Sequence, residues 1–75
     1  MEEVLIHTEF IKLQQAIKLA GIVGQGSDAK LLIQNGAVKV NGVVATERGK
    51  KIHHNDIVTV QETKEFKIIV KNTGK

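Results

Sequence analysis

Residues 27–42 constrain the fold of this 75-residue chain more than any other segment. Apolar residues recur at helical spacing after Ser27, which predicts a helix with Ser27 as its N-cap and Gly36 as its stop. Beyond the glycine, valines alternate with polar residues, as they do in a strand with one buried side. The pair Asn41-Gly42 between valines favours a type I′ hairpin turn, because both residues tolerate a positive φ. The segment therefore predicts a helix that leads directly into an antiparallel hairpin.

Two further patterns complete the chain. An apolar stripe over residues 10–20 predicts a first helix, with Thr8 as its N-cap and Gly21 as its stop. Short strands are predicted at residues 4–6, 37–41, 43–44, 57–60 and 66–70, and residues 72–75 are predicted to fray. This order predicts the α+β class, in which a two-helix helix-loop-helix packs on a small antiparallel sheet of four to five short strands.

The composition indicates one small globular domain spanning residues 1–75, since 41% of the residues are hydrophobic and 25% are charged. The absence of cysteine excludes disulfides and thiolate metal sites, and it suits a reducing compartment. The acidic start Met1-Glu2-Glu3-Val4 differs from a basic secretory signal, and no apolar run approaches the roughly 20 residues that span a bilayer. The expected location is the cytoplasm, with no membrane partner.

The positive charge is concentrated in one third of the chain. Residues 27–51 contain five basic residues and two acidic ones, whereas the six basic residues outside this window are balanced by six acidic ones. The whole net charge of +3 therefore lies in the window. This distribution is expected when one surface meets a polyanion, and a solvated lysine-rich surface is the alternative that charge alone leaves open.

The same window carries one continuous motif, made up of Ser27, Ala29, Lys30, Ile33, Gly36, Val38, Val40, Asn41 and Gly42. This motif resembles the signature of the RNA-binding domain named after ribosomal protein S4, in particular of its small stand-alone bacterial members. Lys12-Leu13-Gln14 stands where that family has Arg-Leu-Asp, and residues 51–58 resemble the end of its pattern. The resemblance covers residues 10–60.

This resemblance implies that the chain binds structured RNA, such as ribosomal or transfer RNA. Three positions depart from the family pattern. Gly26 stands where many members have an arginine, and Lys12 and Gln14 replace the arginine and aspartate of the first helix. We therefore expect a modest affinity that depends on Lys30, Lys39 and the charged connector at residues 47–51.

The chemistry of the individual residues supports the same surface. The free N–H groups at the start of the second helix follow Gly24 and Gly26, so a phosphate can approach them closely. Lys30 lies in the first turn, where a positive charge is unfavourable to the helix dipole, and this favours an anionic partner for it. The alternative is that Lys30 simply solvates the helix. Gln34 is four residues further on and projects beside it. The predicted RNA-binding residues are Lys12, Gln25, Gly26, Ser27, Lys30, Lys39, Asn41, Arg48, Lys50 and Lys51.

The aromatic content predicts how RNA is recognised. The chain has no tyrosine or tryptophan, and its two phenylalanines, Phe10 and Phe66, occupy positions expected in the core. Base-stacking platforms of the kind used by single-strand binders are therefore not expected. Recognition should favour phosphates and the shape of folded RNA, with an affinity that falls steeply with salt.

Other chemistries find little support in the sequence. His7, His53 and His54 lack the spacing of a closed metal site and are expected on the surface or in turns. Residues 24–27 lack the full phosphate-binding loop motif, and no base is placed to activate Ser27 as a nucleophile. We therefore expect no catalysis, cofactor, metal or small-molecule substrate.

Two rival functions are left open. A protein-interaction or ribosome-assembly module could keep the fold and use Ile11, Leu19 and Leu31, the apolar residues left over from the core pattern. DNA binding is a weaker alternative. A monomer is expected, since the chain shows neither a heptad repeat nor a long exposed strand.

Overall fold

The computed structural model describes residues 1–71 and confirms the α+β class, with two helices and seven strands in that range. The prediction that residues 72–75 fray lies outside the described residues. The elements in chain order are β1 Glu2–Ile6, β2 Phe10–Lys12, α1 Leu13–Leu19, α2 Gly26–Gln34, β3 Val38–Val40, β4 Val43–Val44, β5 Lys51–His53, β6 Ile57–Val60 and β7 Lys64–Val70.

The main sheet has five strands in the order β1-β7-β6-β3-β4. Its strands pair antiparallel except for β1, which runs parallel to β7 with Val4 opposite Ile68. The sheet is therefore mixed and differs from the fully antiparallel sheet predicted. The parallel pair joins the two ends of the described chain, and local sequence patterns carry no signal for such a distant contact.

A second, two-stranded sheet replaces the start of the predicted first helix. Residues Phe10–Lys12 form β2 and pair antiparallel with β5, with Ile11 opposite Ile52. The helix thus begins at Leu13, not at Phe10. The prediction was wrong because the apolar stripe suits a helix equally well, and only the distant partner strand decides the conformation of these three residues.

The N-terminus of α1 is capped by backbone and not by the hydroxyl of Thr8. Thr8 donates a 2.7 Å hydrogen bond to the carbonyl of Phe10, which lies before the helix. The first two helical N–H groups, of Leu13 and Gln14, donate to the carbonyls of Lys50 and Arg48 at 2.8 and 3.0 Å. The charged connector therefore satisfies the N–H groups that a helix start leaves without intrahelical partners.

The start of α2 also differs from the prediction, because Ser27 lies inside the helix. The N-cap position is Gln25, whose backbone is extended and whose side chain makes no capping bond. The Ser27 hydroxyl donates a long 3.5 Å hydrogen bond to the side-chain oxygen of Gln25. At the other end, Gly36 has the positive φ of +76° expected of a helix stop.

The core lies between the two helices and one face of the main sheet. Leu13, Ile17 and Ile33 are fully buried from the helix side, and Phe66 is 1% exposed from the sheet side. Strand residues alternate between this core and the outer face of the sheet. The buried residues form one cluster, which comprises Val4, Ile6, Leu13, Ala16, Ile17, Ala29, Ile33, Val38, Val40, Ala45, Ile52, Val58, Val60, Phe66 and Ile68.

The predicted hairpin is confirmed. Val40 faces Val43 across the turn, and Asn41 and Gly42 both have positive φ, at +52° and +85°. This pair of values is the type I′ conformation that the Asn-Gly sequence favours.

Candidate nucleic-acid interface

The charged connector lies against α2 and forms a groove of about 540 Å³ with it. Lys30 and Gln34, one helical turn apart, line the helix side of the groove. Arg48 and Gly49 line the connector side. The groove therefore brings together two cations that are 18 positions apart in the sequence.

A second groove, of about 610 Å³, lies between the β3–β4 hairpin and β5. Its basic residues are Lys50 and Lys51, and the exposed side chains of Val43 and Val44 give it an apolar wall. Thr46 and Glu47 line both grooves, so the two grooves form one continuous surface. The complete lining is Val40, Asn41, Val43, Val44, Ala45, Thr46, Glu47, Lys50, Lys51, His53 and Asp56.

The outer face of the β2–β5 sheet extends this surface. Lys12 lies directly opposite Lys51, and Phe10 lies opposite His53. Because Ile52 is fully buried and strand side chains alternate, these four side chains point away from the core. We call the combined surface that carries Lys12, Lys30, Arg48, Lys50 and Lys51 the connector face.

Phe10 does not occupy the core position predicted for it. It is only partly buried on the outer face of the small sheet. The ammonium nitrogen of Lys51 lies 4.8 Å from its ring centroid, and the ring of His53 lies 6.0 Å away at an interplanar angle of 49°. The error follows from the misplaced helix, since the same residue on a helix would have faced inward.

The cations of the connector face have no carboxylate partners in the described part of the chain. Across residues 1–71, the only basic side-chain nitrogen within 4.0 Å of a carboxylate oxygen is Nδ1 of His53, which lies 3.9 Å from Asp56. Lysine and arginine side chains that are not paired within the protein are free to bind an external anion.

Lys39 lines neither of the two grooves, although its cross-strand partner Val44 lines the second one. Its neighbours Val38 and Val40 point into the core, so Lys39 points to the opposite side of the main sheet, beside Thr59. It lines a separate pocket of about 180 Å³ with Gln61 and Glu62. The structure therefore does not join Lys39 to the other predicted RNA-binding lysines.

Asn41 is engaged inside the protein. Its side-chain nitrogen donates to the carboxylate of Asp56 at 3.1 Å, and its side-chain oxygen accepts a 2.9 Å bond from the N–H of Ile57. The residue thus fastens the hairpin turn to the turn before β6. One amide hydrogen is left for an external partner.

The start of α2 carries the other predicted residues. Gln25 and Ser27 are exposed there, and Gly26 is the first helical residue. Ser27 shares a helical stripe with Lys30 and Gln34, which line the first groove. His53 and Thr46 also lie on this surface, although sequence reasoning did not assign them to RNA. The pairing of β5 with β2 places His53 there, and Thr46 belongs to the segment between β4 and β5.

The histidines have structural neighbours of their own. His54 accepts a 2.9 Å hydrogen bond at Nδ1 from the N–H of Val70, and the N–H of His53 donates to Asp56. Among the described residues, no group of three or more His, Asp or Glu side chains is arranged to hold a metal ion.

Neither helix in the described range is long and apolar enough to cross a membrane.

A profile of the S4 domain matches residues 4–69, which is most of the chain. The chain belongs to the S4 domain family. Members of this family typically bind RNA, and the resemblance seen in the sequence is thereby confirmed. The match also extends beyond the expected residues 10–60 at both ends, so it includes most of β1 and most of β7.

Two individual proteins are similar to this S4 domain. The probable ribosome maturation protein RlbA of Bacillus subtilis (strain 168) is 33% identical over 64 residues, which cover 85% of this chain and 90% of that protein. The crystal structure of the 30S ribosomal protein S4e from Thermoplasma acidophilum has the same fold, with a TM-score of 0.66 at 17% identity. That alignment covers 91% of this chain but only 35% of the ribosomal protein.

Proposed function

We propose that this protein binds structured RNA through the connector face and that its physiological target is ribosomal RNA. The family supports RNA as the ligand, and the name of the Bacillus relative, a probable ribosome maturation protein, favours ribosomal over transfer RNA. The protein acts without catalysis, cofactor or metal, as a monomer in the cytoplasm.

One observation carries the proposal. Cations from β2, α2, the connector and β5 lie on one continuous surface, and none of them is paired with a carboxylate within residues 1–71. Gathering like charges costs free energy of folding, whereas a phosphate backbone offsets that cost. The basic residues of the window 27–51 thus lie on one surface, with the exception of Lys39. Lys12, which lies outside that window in the sequence, belongs to the same surface.

The shape of the surface favours folded RNA over single strands. Four of its five basic residues line two adjoining grooves, an arrangement that suits contacts to several phosphates of a folded RNA. Double-stranded RNA is recognised mainly by shape and by contacts to phosphates and 2′-hydroxyls.

Binding of the wild-type protein to three nucleic acids of equal length tests this function. A folded ribosomal RNA fragment, a duplex DNA and an unstructured RNA strand are titrated over a series of salt concentrations. We expect the folded RNA to bind most tightly, and log K to fall by about 0.7 to 0.9 per log unit of salt for each phosphate neutralised. Equal affinity for all three, or an affinity for RNA that is independent of salt, would contradict the proposal.

A protein-contact role in ribosome assembly is the second candidate. Leu19 and Leu31 are 56% and 57% exposed, which leaves two large apolar side chains on the helices uncovered. Ile11, the third residue predicted for this role, packs against the core and is therefore not part of this apolar surface. Co-sedimentation with ribosomal subunits separates the two candidates. If the protein binds RNA, the double variant Arg48→Gln and Lys51→Gln should no longer co-sediment with the subunits. If it makes a protein contact, the double variant Leu19→Ser and Leu31→Ser should no longer co-sediment.

A further inference from the structure

The outer face of the β2–β5 sheet brings two lysines directly opposite each other. Lys12 and Lys51 are partners in the antiparallel register, and like charges in such positions repel. No carboxylate within residues 1–71 forms an ion pair with either of them. A single phosphate between the two ammonium groups would turn this repulsion into attraction on both sides.

Two aromatic rings form the adjacent cross-strand pair on the same face. The His53 side chain is 59% exposed, and Phe10 is partly exposed beside it. Lys51 extends over the Phe10 ring, at 4.8 Å from its centroid. When Lys51 turns toward a phosphate, this ring face becomes available to another flat, polarisable group.

We propose that this face is a subsite for one unpaired nucleotide. The phosphate bridges Lys12 and Lys51, and the base stacks on the Phe10 ring with His53 at its edge. Aromatic rings beside cations are the arrangement by which proteins hold unstacked bases. The inference rests on the proposed RNA-binding function and specifies the RNA as a folded one that carries a bulged or junction nucleotide.

The subsite changes the expected mode of recognition. With Phe10 in the core, only phosphates and RNA shape would be available to the protein. With Phe10 on the outer face, one base adds stacking to the phosphate contacts of the connector face. Stacking of a base on an aromatic side chain corresponds to roughly a fivefold gain in affinity or more.

Two RNAs that differ in one nucleotide test the subsite. One is a hairpin with an uninterrupted stem, and the other has the same stem with one bulged adenosine. We expect the wild-type protein to prefer the bulged RNA by about fivefold or more, and Phe10→Leu to lose this preference while it keeps its affinity for the uninterrupted stem. Lys12→Gln combined with Lys51→Gln should weaken the binding of both RNAs.

A second readout needs no substitution. Phe10 and Phe66 are the only aromatic residues besides the histidines, so their ring protons are readily separated in an NMR spectrum. The bulged RNA should move the Phe10 ring signals upfield through the ring current of the base, while those of the buried Phe66 stay in place.

The outcomes distinguish the subsite from the function on which it rests. Equal affinity for both RNAs together with unmoved Phe10 signals would overturn the subsite and leave RNA binding intact. Failure to bind either RNA would overturn both. If Phe10→Leu does not fold, the wild-type affinities and the Phe10 signals still decide the question.

Discussion

Asn41 shows how one side chain can resemble a ligand contact and yet hold the fold together. Its positive φ suits the hairpin turn, and its amide joins that turn to Asp56 and Ile57. Position and polarity in the sequence suggested an RNA contact, but the hydrogen bonds span 15 and 16 residues and could not be read from the local pattern.

Substitutions at Asn41 should separate its two contributions to stability. Asn41→Gly keeps the positive φ and loses the side-chain bonds, at a cost of about 1 kcal/mol, whereas Asn41→Ala also strains the turn and should cost about 2–3 kcal/mol. Urea unfolding measures both. Asn55→Gly is the control, since Asn55 has a φ of +72° and makes no side-chain hydrogen bond within residues 1–71. An equal loss of stability in both Asn41 variants would show that alanine at position 41 does not strain the turn.

Arg48 has separate roles for its backbone and its side chain. The carbonyl accepts the hydrogen bond from Gln14 at the start of α1, while the exposed side chain lines the first groove. Arg48→Gln should therefore leave the free energy of unfolding within about 0.5 kcal/mol of the wild type. It should lower the slope of log K against log salt for RNA binding by about 1. A lower free energy of unfolding together with unchanged RNA binding would show that the Arg48 side chain serves the fold and not the RNA.

At the scale of elements, α1 depends on the connector for its first turn. The N–H groups of Leu13 and Gln14, which a helix start usually leaves open to solvent, are bonded to Lys50 and Arg48. Hydrogen exchange should find both amides protected. Thr8→Ala should leave this protection unchanged, because the Thr8 hydroxyl bonds only to the Phe10 carbonyl before the helix. Rapid exchange at Leu13 and Gln14 would contradict the cap.

The parallel pair of β1 with β7 makes the N-terminal strand part of the core. Ile6 is 5% exposed and its neighbour Leu5 is 52% exposed, on opposite faces of the same strand. Ile6→Ala should cost about 2–5 kcal/mol in chemical denaturation, and Leu5→Ala less than about 1 kcal/mol. Similar losses for the two variants would mean that β1 does not hold this register.

The elements that sequence predicted correctly are those with local signals. The hairpin at Asn41-Gly42, the helix stop at Gly36 and the strand Ile57–Val60 each follow from neighbouring residues. The β2–β5 and β1–β7 pairs join segments about 40 and 60 residues apart in the sequence, as their registers show. Only tertiary packing decides such pairs, so Phe10 and Thr8 were assigned to the wrong roles.

At the scale of the whole molecule, the same distant pairs shape the candidate site. The sequence indicated which stretch carries the excess charge, and the structure divides it between two faces. The connector face carries Lys30, Arg48, Lys50 and Lys51, together with Lys12. Lys39 lies on the outer face of the main sheet and lines neither groove. Charge location, and not the total of +3, is therefore the property that the proposed function requires.

The most direct test of the central claim compares two variants that lose the same charge from different faces. One combines Lys30→Gln, Arg48→Gln and Lys51→Gln on the connector face; the other combines Lys39→Gln, Lys67→Gln and Lys71→Gln elsewhere. We measure the affinity of each for a folded ribosomal RNA fragment at fixed salt, after circular dichroism confirms folding. The first variant should bind about ten- to a hundredfold more weakly than the wild type, and the second within about threefold of it. Equal losses would show that net charge alone attracts the RNA, and would contradict the connector face as the binding surface.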